Sequence, residues 1–278
     1  MIRATLLIPA HDEAAVIGRT LLHLSRGLAL AQWRIVVIAN ACSDATAAKA
    51  RSVLPQAVIL ETATPGKCNA LNLGFRAAAP GRPVICLDAD LDVTAEALDA
   101  LLRPLEAGTA QAACGQMDVR ASEAAPLVRA YYKGWRLNPY FDRGKFGGLF
   151  ALAPEAAARV FPLPRVTADD EFIRRSLRPA EIAFVPACRF IARAPATLGS
   201  LARVRRRSLR GAREISAMGL ASPERGSPLA LARRALAHPA SLWPLAVYAA
   251  VNGWARLSLR RAAAPHRWER DMTTRIPG

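Results

Sequence analysis

The sequence predicts an α/β fold: a mainly parallel central sheet with helices on both faces, followed by a basic helical extension. Three observations predict it. Over the first hundred residues, short apolar runs alternate four times with segments whose apolar residues recur at helical spacing, as strands joined by crossover helices do. The apolar runs are unbroken, as in strands covered on both faces. Polar residues cluster directly after the runs, at His11-Asp12-Glu13, Asn40 to Asp44 and Asp88-Ala89-Asp90, the carboxyl ends of strands where such sheets bind ligands.

The elements follow in order. Ala4–Ile8 is a buried strand closed by Pro9, and Ala14–Leu28 is a helix carrying Val16, Ile17, Leu21, Leu24 and Leu28 on one face. Arg34–Ala39 is a β-branched strand, Asp44–Val53 a helix and Ala57–Leu60 a short strand. Lys67–Ala78 is a helix that starts after Pro65-Gly66, and Pro83–Leu87 a strand that ends in Asp88. Thr94–Leu105 is a helix with Thr94 as its N-cap. Gln111–Val119 is one more strand. Beyond it the pattern loosens into aromatic-rich Tyr131–Phe141, the glycine-bearing loop Gly144–Gly148 and a helix from Asp169 to Leu177. Short strands at Ile182–Val185 and Cys188–Ala192, a long basic helix Thr197–Met218 and a linker Pro223–Pro228 complete the reading. We divide the chain into 1–125, 126–222 and a basic amphipathic or membrane-associated tail, 223–278.

With 278 residues, 52% of them hydrophobic, the chain can bury a sizeable core, which excludes wholesale disorder. Its net charge of +16 is unevenly placed: residues 1–125 carry 11 basic and 12 acidic side chains, residues 126–278 carry 27 and 10. Such a basic half points to nucleic acid, an anionic membrane surface or a phosphate-bearing substrate. Arginine outnumbers lysine 34 to 4, which partly reflects an alanine-rich composition. The cysteines Cys42, Cys68, Cys86, Cys114 and Cys188 are odd in number and without a CxxC pair, which argues against a disulfide framework or a zinc site. No secretory apolar segment precedes His11-Asp12-Glu13, so we expect a cytoplasmic protein.

Three motifs carry chemistry. Asp88-Ala89-Asp90 places two carboxylates two residues apart at a strand end; they fit a hard divalent ion, Mg²⁺ or Mn²⁺, or a solvated helix-capping turn. In Pro65-Gly66-Lys67-Cys68-Asn69-Ala70-Leu71-Asn72 a glycine before a helix lets the backbone approach an anion, with Lys67 adding charge. The bland alternative is an ordinary helix start with an exposed lysine. Asp169-Asp170-Glu171 either favours a helix dipole or supplies a general base.

In series, Ile8-Pro9-Ala10-His11-Asp12-Glu13, Asn40-Ala41-Cys42-Ser43-Asp44, Gly66-Lys67-x-x-Ala70-Leu71-Asn72, Asp88-Ala89-Asp90, Gly147-Gly148-Leu149-Phe150, Asp169-Asp170 and an arginine-rich helix resemble the family-2 glycosyltransferases of GT-A fold, bacterial type. The resemblance spans roughly 2–215. It implies that Pro9, Ala10 and Glu13 border a nucleotide and that Asn40 stands where the family has a base-contacting acid. It implies that Lys67 lies near the nucleotide, that Asp88 meets the ribose, and that Asp88 and Asp90 serve Mg²⁺ or Mn²⁺. Asp169 falls on the catalytic-base position with Asp170 beside it, and Gly147-Gly148 on the acceptor loop. Arg203-x-x-Arg206 is the nearest form of the family's diphosphate-binding helix motif. The implied reaction is inverting transfer of a sugar from a nucleotide-sugar, a UDP-sugar first, to an acceptor hydroxyl, the base removing the acceptor proton.

Arg203, Arg206, Arg210 and Arg213 share one helix face, which serves a diphosphate, solvent or a membrane. The 21 uncharged residues Ala235–Ala255 are interrupted by Pro239, Pro244 and Gly253 and flanked by arginines. They fit a membrane-surface helix pair with Trp243, Tyr248 and Trp254 at the headgroups, a buried helix, or a crossing. We expect a lipid-linked or envelope-related acceptor, a location at the inner face of the cell membrane and no nucleic acid partner. The competing readings are a basic module that binds nucleic acid, and a nucleotidyltransferase, whose Gly-rich first loop is absent from Pro9–Glu13.

Overall fold

In a computed structural model of the chain, the structure describes residues 1–139, 142, 144–220, 228–237 and 239–261. Residues 223–227 of the expected linker, Tyr140 and Phe141 of the aromatic stretch, and the closing segment 262–278 lie outside the described residues. The described residues form two compact units, one of 1–118 with 144–192, the other of 119–142 with the described residues from 193 to 261.

The first unit is built on one eight-stranded sheet in the order β3-β2-β1-β4-β7-β6-β8-β5. The strands are β1 (Ala4–Ala10), β2 (Trp33–Asn40), β3 (Val58–Thr62), β4 (Val84–Leu87), β5 (Asp92–Val93), β6 (Ala112–Arg120), β7 (Leu149–Leu152) and β8 (Ile182–Arg193). The first four are parallel; β7 runs antiparallel to both β4 and β6, and β5 antiparallel to β8. Helices α1 (Ile17–Ser25), α2 (Thr46–Val53), α3 (Lys67–Arg76) and α4 (Ala95–Glu106) follow the alternation expected from the sequence, and Thr94 caps α4 by accepting from the Ala97 N–H.

The two-residue period divides each central strand between two cores. Leu6 and Ile8 of β1 and Ile35 and Val37 of β2 join Leu21 and Leu24 of α1 and Leu98 and Leu101 of α4. Leu7, Val36 and Ile38 join Leu71 of α3 and residues of two short helices, α6 (Pro154–Val160) and α7 (Asp169–Arg175), on the other face.

Two strand limits differ from the sequence reading. β1 does not stop at Pro9. Thr5 donates its N–H to Pro83 on the β4 side, so by the same period the Pro9 nitrogen points that way, past the last β4 partner pair, Leu7 and Cys86. A missing N–H costs nothing there. The two short strands read around Pro186 are one, β8; Pro186 is exposed, where a strand tolerates proline. All five cysteines are free thiols, as expected.

The second unit is helical. α5 (Pro126–Trp135), α8 (Leu198–Ala217), α9 (Pro228–Leu236) and α10 (Leu242–Arg261) make it up. The aromatic-rich stretch opens as helix α5, where the buried Tyr131 ring sits 5.3 Å from that of Tyr248 on α10. Gly134 makes the α5–α10 approach possible: a Cβ there would fall 2.3 Å from the Pro244 carbonyl oxygen. Among the described residues no helix is long and apolar enough to cross a membrane.

Candidate active site

Parallel strands bring their carboxyl ends to one edge. Ala10 closes β1 in register with Ala39, Asn40 closes β2 opposite Thr62 at the end of β3, and Asp88 follows β4. The loops after β1 and β2 are laced together. Glu13, buried, donates its N–H to Thr46 Oγ1 at 2.7 Å, and Ala14 donates to Asp44 Oδ2 at 3.1 Å. Asp12 accepts from the Ser43 N–H at 2.5 Å and from its hydroxyl at 3.1 Å. Pro9, Ala10, Glu13 and Asn40, read from the sequence as the nucleotide border, therefore stand on one braced edge. The buried Asn40 side chain has no hydrogen-bond partner at Oδ1 among the described residues.

Lys67 opens α3 after Gly66, whose φ of 130° favours glycine. Its ammonium lies 2.7 Å from Asp88 Oδ1 and 3.0 Å from Asp169 Oδ2. Three motifs far apart in the chain thus meet in one cluster. The stretch before Asp169 is tied to α3. Asn72 donates to the Leu163 carbonyl at 2.9 Å and accepts from the Leu163 N–H at 2.6 Å, while Cys68 Sγ donates to the Val166 carbonyl at 3.4 Å. Asn72 was legible only as a motif letter; its work as a clamp needed the fold.

The electrostatics of Asp169 depart from those of an exposed aspartate. Burial is the main cause that pushes the Asp169 carboxyl up to about 6, with Asp170 and Asp88 adding to it against the pull of Lys67. Burial alone would lower the Lys67 ammonium, but Asp169, Asp88 and Asp170 together hold it well above its ordinary value. Asp170 behaves differently from its neighbour: its Oδ1 accepts the Glu171 N–H at 2.8 Å. Glu171 is held low, despite its burial, by Arg174 and Arg175.

Gly147 and Gly148, read as the acceptor loop, lie beside Asp88. The Asp88 N–H donates to the Gly148 carbonyl at 2.8 Å, and a Cβ on Gly148, where φ is 88°, would fall 2.5 Å from Asp88 Oδ2. Only the paired glycines signal this dependence in the sequence. Asp90 stands two residues on, with Ala89 between them buried and its carbonyl held by Thr20 Oγ1 at 2.7 Å. Arg203 and Arg206 belong to the second unit, where Arg203 Nη2 donates to Ser200 Oγ at 2.8 Å and the Arg206 guanidinium sits 5.5 Å from the Trp254 ring centre.

Two groups of residues offer metal donors. Asp88 and Asp90 supply the hard carboxylate oxygens that a divalent cation takes; Asp88 Oδ1 is meanwhile ion-paired with the Lys67 ammonium. Among the described residues His11, Asp12 and Cys42 also gather, with donor atoms within 4.8 Å of one another. There, however, Asp12 is engaged by Ser43, and Cys42 Sγ donates to the Ala10 carbonyl at 3.5 Å.

The parallel half of the sheet thus presents a lysine-bridged acidic cluster at its carboxyl edge. The profile of the family "Glycosyl transferase family 2" matches residues 5–159, and the chain belongs to that family. Among solved structures it resembles the mannosyltransferase PcManGT from Pyrobaculum calidifontis in complex with GDP-Man and Mn²⁺, at 20% identity and a TM-score of 0.60, over 93% of this chain and 76% of that one. It also resembles glucosyl-3-phosphoglycerate synthase from Mycobacterium tuberculosis in complex with Mn²⁺, UDP-Glc and phosphoglyceric acid, at 19% identity and a TM-score of 0.57, over 79% of this chain and 80% of that one. These likenesses bear out the expected GT-A fold. No curated protein matches the chain.

Proposed function

We propose that this glycosyltransferase moves a sugar, with inversion, from a nucleoside diphosphate to an acceptor hydroxyl, with Asp169 as the general base. The observation that carries the reading is the Lys67 bridge, which joins the donor-side carboxylate Asp88 to Asp169 in one cluster. Asp169 supports the base role better than Asp170. It is buried beside the donor residues, and that burial raises its pKa to about 6, close to the operating range of an efficient base yet mostly ionised at neutral pH.

In this reading Pro9, Ala10 and Glu13 border the nucleotide and Asp88 meets the ribose. The Asn40 amide reads the base, its unmatched buried Oδ1 suiting a ring N–H such as the N3–H of a uracil, and a UDP-sugar is the donor expected first. Asp88 and Asp90 hold Mg²⁺ or Mn²⁺, as the Mn²⁺ in both related complexes supports. Such an ion, when bound, neutralises charge on the departing diphosphate. Lys67 keeps a cation between the two carboxylates, which holds Asp169 ionised. Asp169 takes the acceptor proton as the hydroxyl attacks the anomeric carbon from the face opposite the leaving group. Gly147-Gly148 leaves room for that approach. A lipid-linked acceptor at the inner membrane face is the proposed biological target.

The test is a panel of UDP- and GDP-sugars incubated with the protein and Mn²⁺, read as nucleoside diphosphate release. The reading expects turnover of a UDP-sugar, lost in Asp90→Ala and Asp169→Asn. Turnover of no nucleotide-sugar, or unchanged turnover in both variants, overturns it.

A further inference from the structure

We propose that the outward face of α10 is a docking surface for an anionic lipid bilayer. For its purpose this rests on the lipid-linked acceptor reading above; its test does not use an acceptor.

α10 carries no formal charge from Leu242 to Ala255 and is largely apolar there, with Asn252 buried and accepting from Arg205 Nε at 3.0 Å. One face, Pro244, Val247, Val251 and Ala255, is buried. The other, Trp243, Ala246, Ala250, Trp254 and Leu257, recurs at the same three-and-four spacing and lies in solvent, with Trp243 64%, Trp254 50% and Leu257 57% exposed. A helix apolar all round is ordinarily covered all round. A continuous exposed stripe with two indoles marks an interaction face. Tyr248, read from the sequence as a third headgroup aromatic, is turned inward instead, onto Tyr131, with its hydroxyl accepting from Asn138 Nδ2 at 3.2 Å.

Charge identifies the occupant. Helices α8, α9 and α10 contain eleven arginines and a single acid, Glu214. The Arg206 guanidinium lies against Trp254, and Arg256 of the same helix is exposed. A second copy of the chain would bring the same positive charge to this face. A nucleic acid supplies anions but no apolar phase for Trp243, Ala246, Ala250 and Leu257. A bilayer with anionic headgroups supplies both, with indoles at the headgroup level and arginines on the phosphates. From Trp243 to Leu257 the stripe runs about 21 Å at ~1.5 Å per residue, which suits a helix lying in the interface.

The experiment is co-sedimentation of the full chain with phosphatidylcholine vesicles, with and without about one third phosphatidylglycerol, together with tryptophan emission. The proposal expects binding to the anionic vesicles with a blue shift and weak binding to the neutral ones. It expects at least about tenfold weaker binding in Trp243→Glu/Leu257→Glu, and an intermediate loss in Trp243→Ala, which guards against misfolding of the double variant. No binding by the natural chain, wild-type binding by both variants, or a dimer that the variants disperse without any vesicle binding would each overturn it. Nucleotide-sugar turnover read on the same samples separates this from the catalytic reading: a chain without turnover that still binds vesicles sinks only the latter.

Discussion

The Lys67 ammonium lies 3.0 Å from Asp169 Oδ2, and the two side chains are largely shut away from water, at 18% and 7% exposure. One charge of such a pair cannot be removed without stranding the other. Lys67→Met should therefore destabilise the fold by about 3–5 kcal/mol, and by markedly less when Asp169→Asn is already present. Urea unfolding of the four proteins of this double-mutant cycle measures the difference. Equal losses in both backgrounds would mean that the pair is not coupled.

The raised pKa of Asp169 has a signed consequence. A carboxyl whose folded value is about 6, against about 3.9 unfolded, stabilises the fold below the unfolded value and loses that contribution as pH rises through about 6. Ionised Asp169 is the form a base needs, so turnover should climb over the same interval. A pH–rate profile with an acid limb near 6, beside a stability profile that falls across it, is the expected result; Asp169→Asn should flatten the stability change.

Gly148→Ala should act on Asp88. The new Cβ would sit 2.5 Å from Asp88 Oδ2, and φ at 88° is strained for any side chain. We expect a cost of about 1–3 kcal/mol and at least about tenfold weaker binding of nucleotide-sugar with Mn²⁺, measured by calorimetry. Gly81→Ala, whose Cβ meets nothing within 4 Å despite a similar φ, separates backbone strain from the clash.

Asn72→Ala removes both hydrogen bonds to the Leu163 backbone. The stranded backbone groups should cost about 1–3 kcal/mol. Faster amide exchange at Leu163, with a lower turnover and unchanged donor binding, is the outcome that identifies Asn72 as a positioning residue for the segment leading to Asp169.

The nucleotide half was legible because its signals are local. Period-3.6 helices alternate with unbroken apolar strands, and the carboxyl-end motifs fall where those strands stop. The rest depended on tertiary contact. Leu149–Leu152 is four apolar residues after two glycines, too short a pattern to separate a strand from a loop, and it became β7 by pairing with β4 and β6. Pro186 broke a strand on paper because its exposure could not be known. The site residues were nameable from their order, but nothing local says that Lys67 reaches Asp169 across a hundred residues, or that Asp170 turns to the Glu171 N–H. Trp254 and Tyr248 looked alike in sequence; packing against α5 turned one inward and left the other out.

The central claim is that Asp169 is the base, and Asp169→Asn tests it most directly because the amide keeps the shape and removes the proton acceptor. Sugar transfer from the preferred UDP-sugar with Mn²⁺, measured beside donor affinity, should fall by about 10²–10⁴-fold while the affinity stays within about threefold. Transfer at the natural rate in Asp169→Asn would contradict the account.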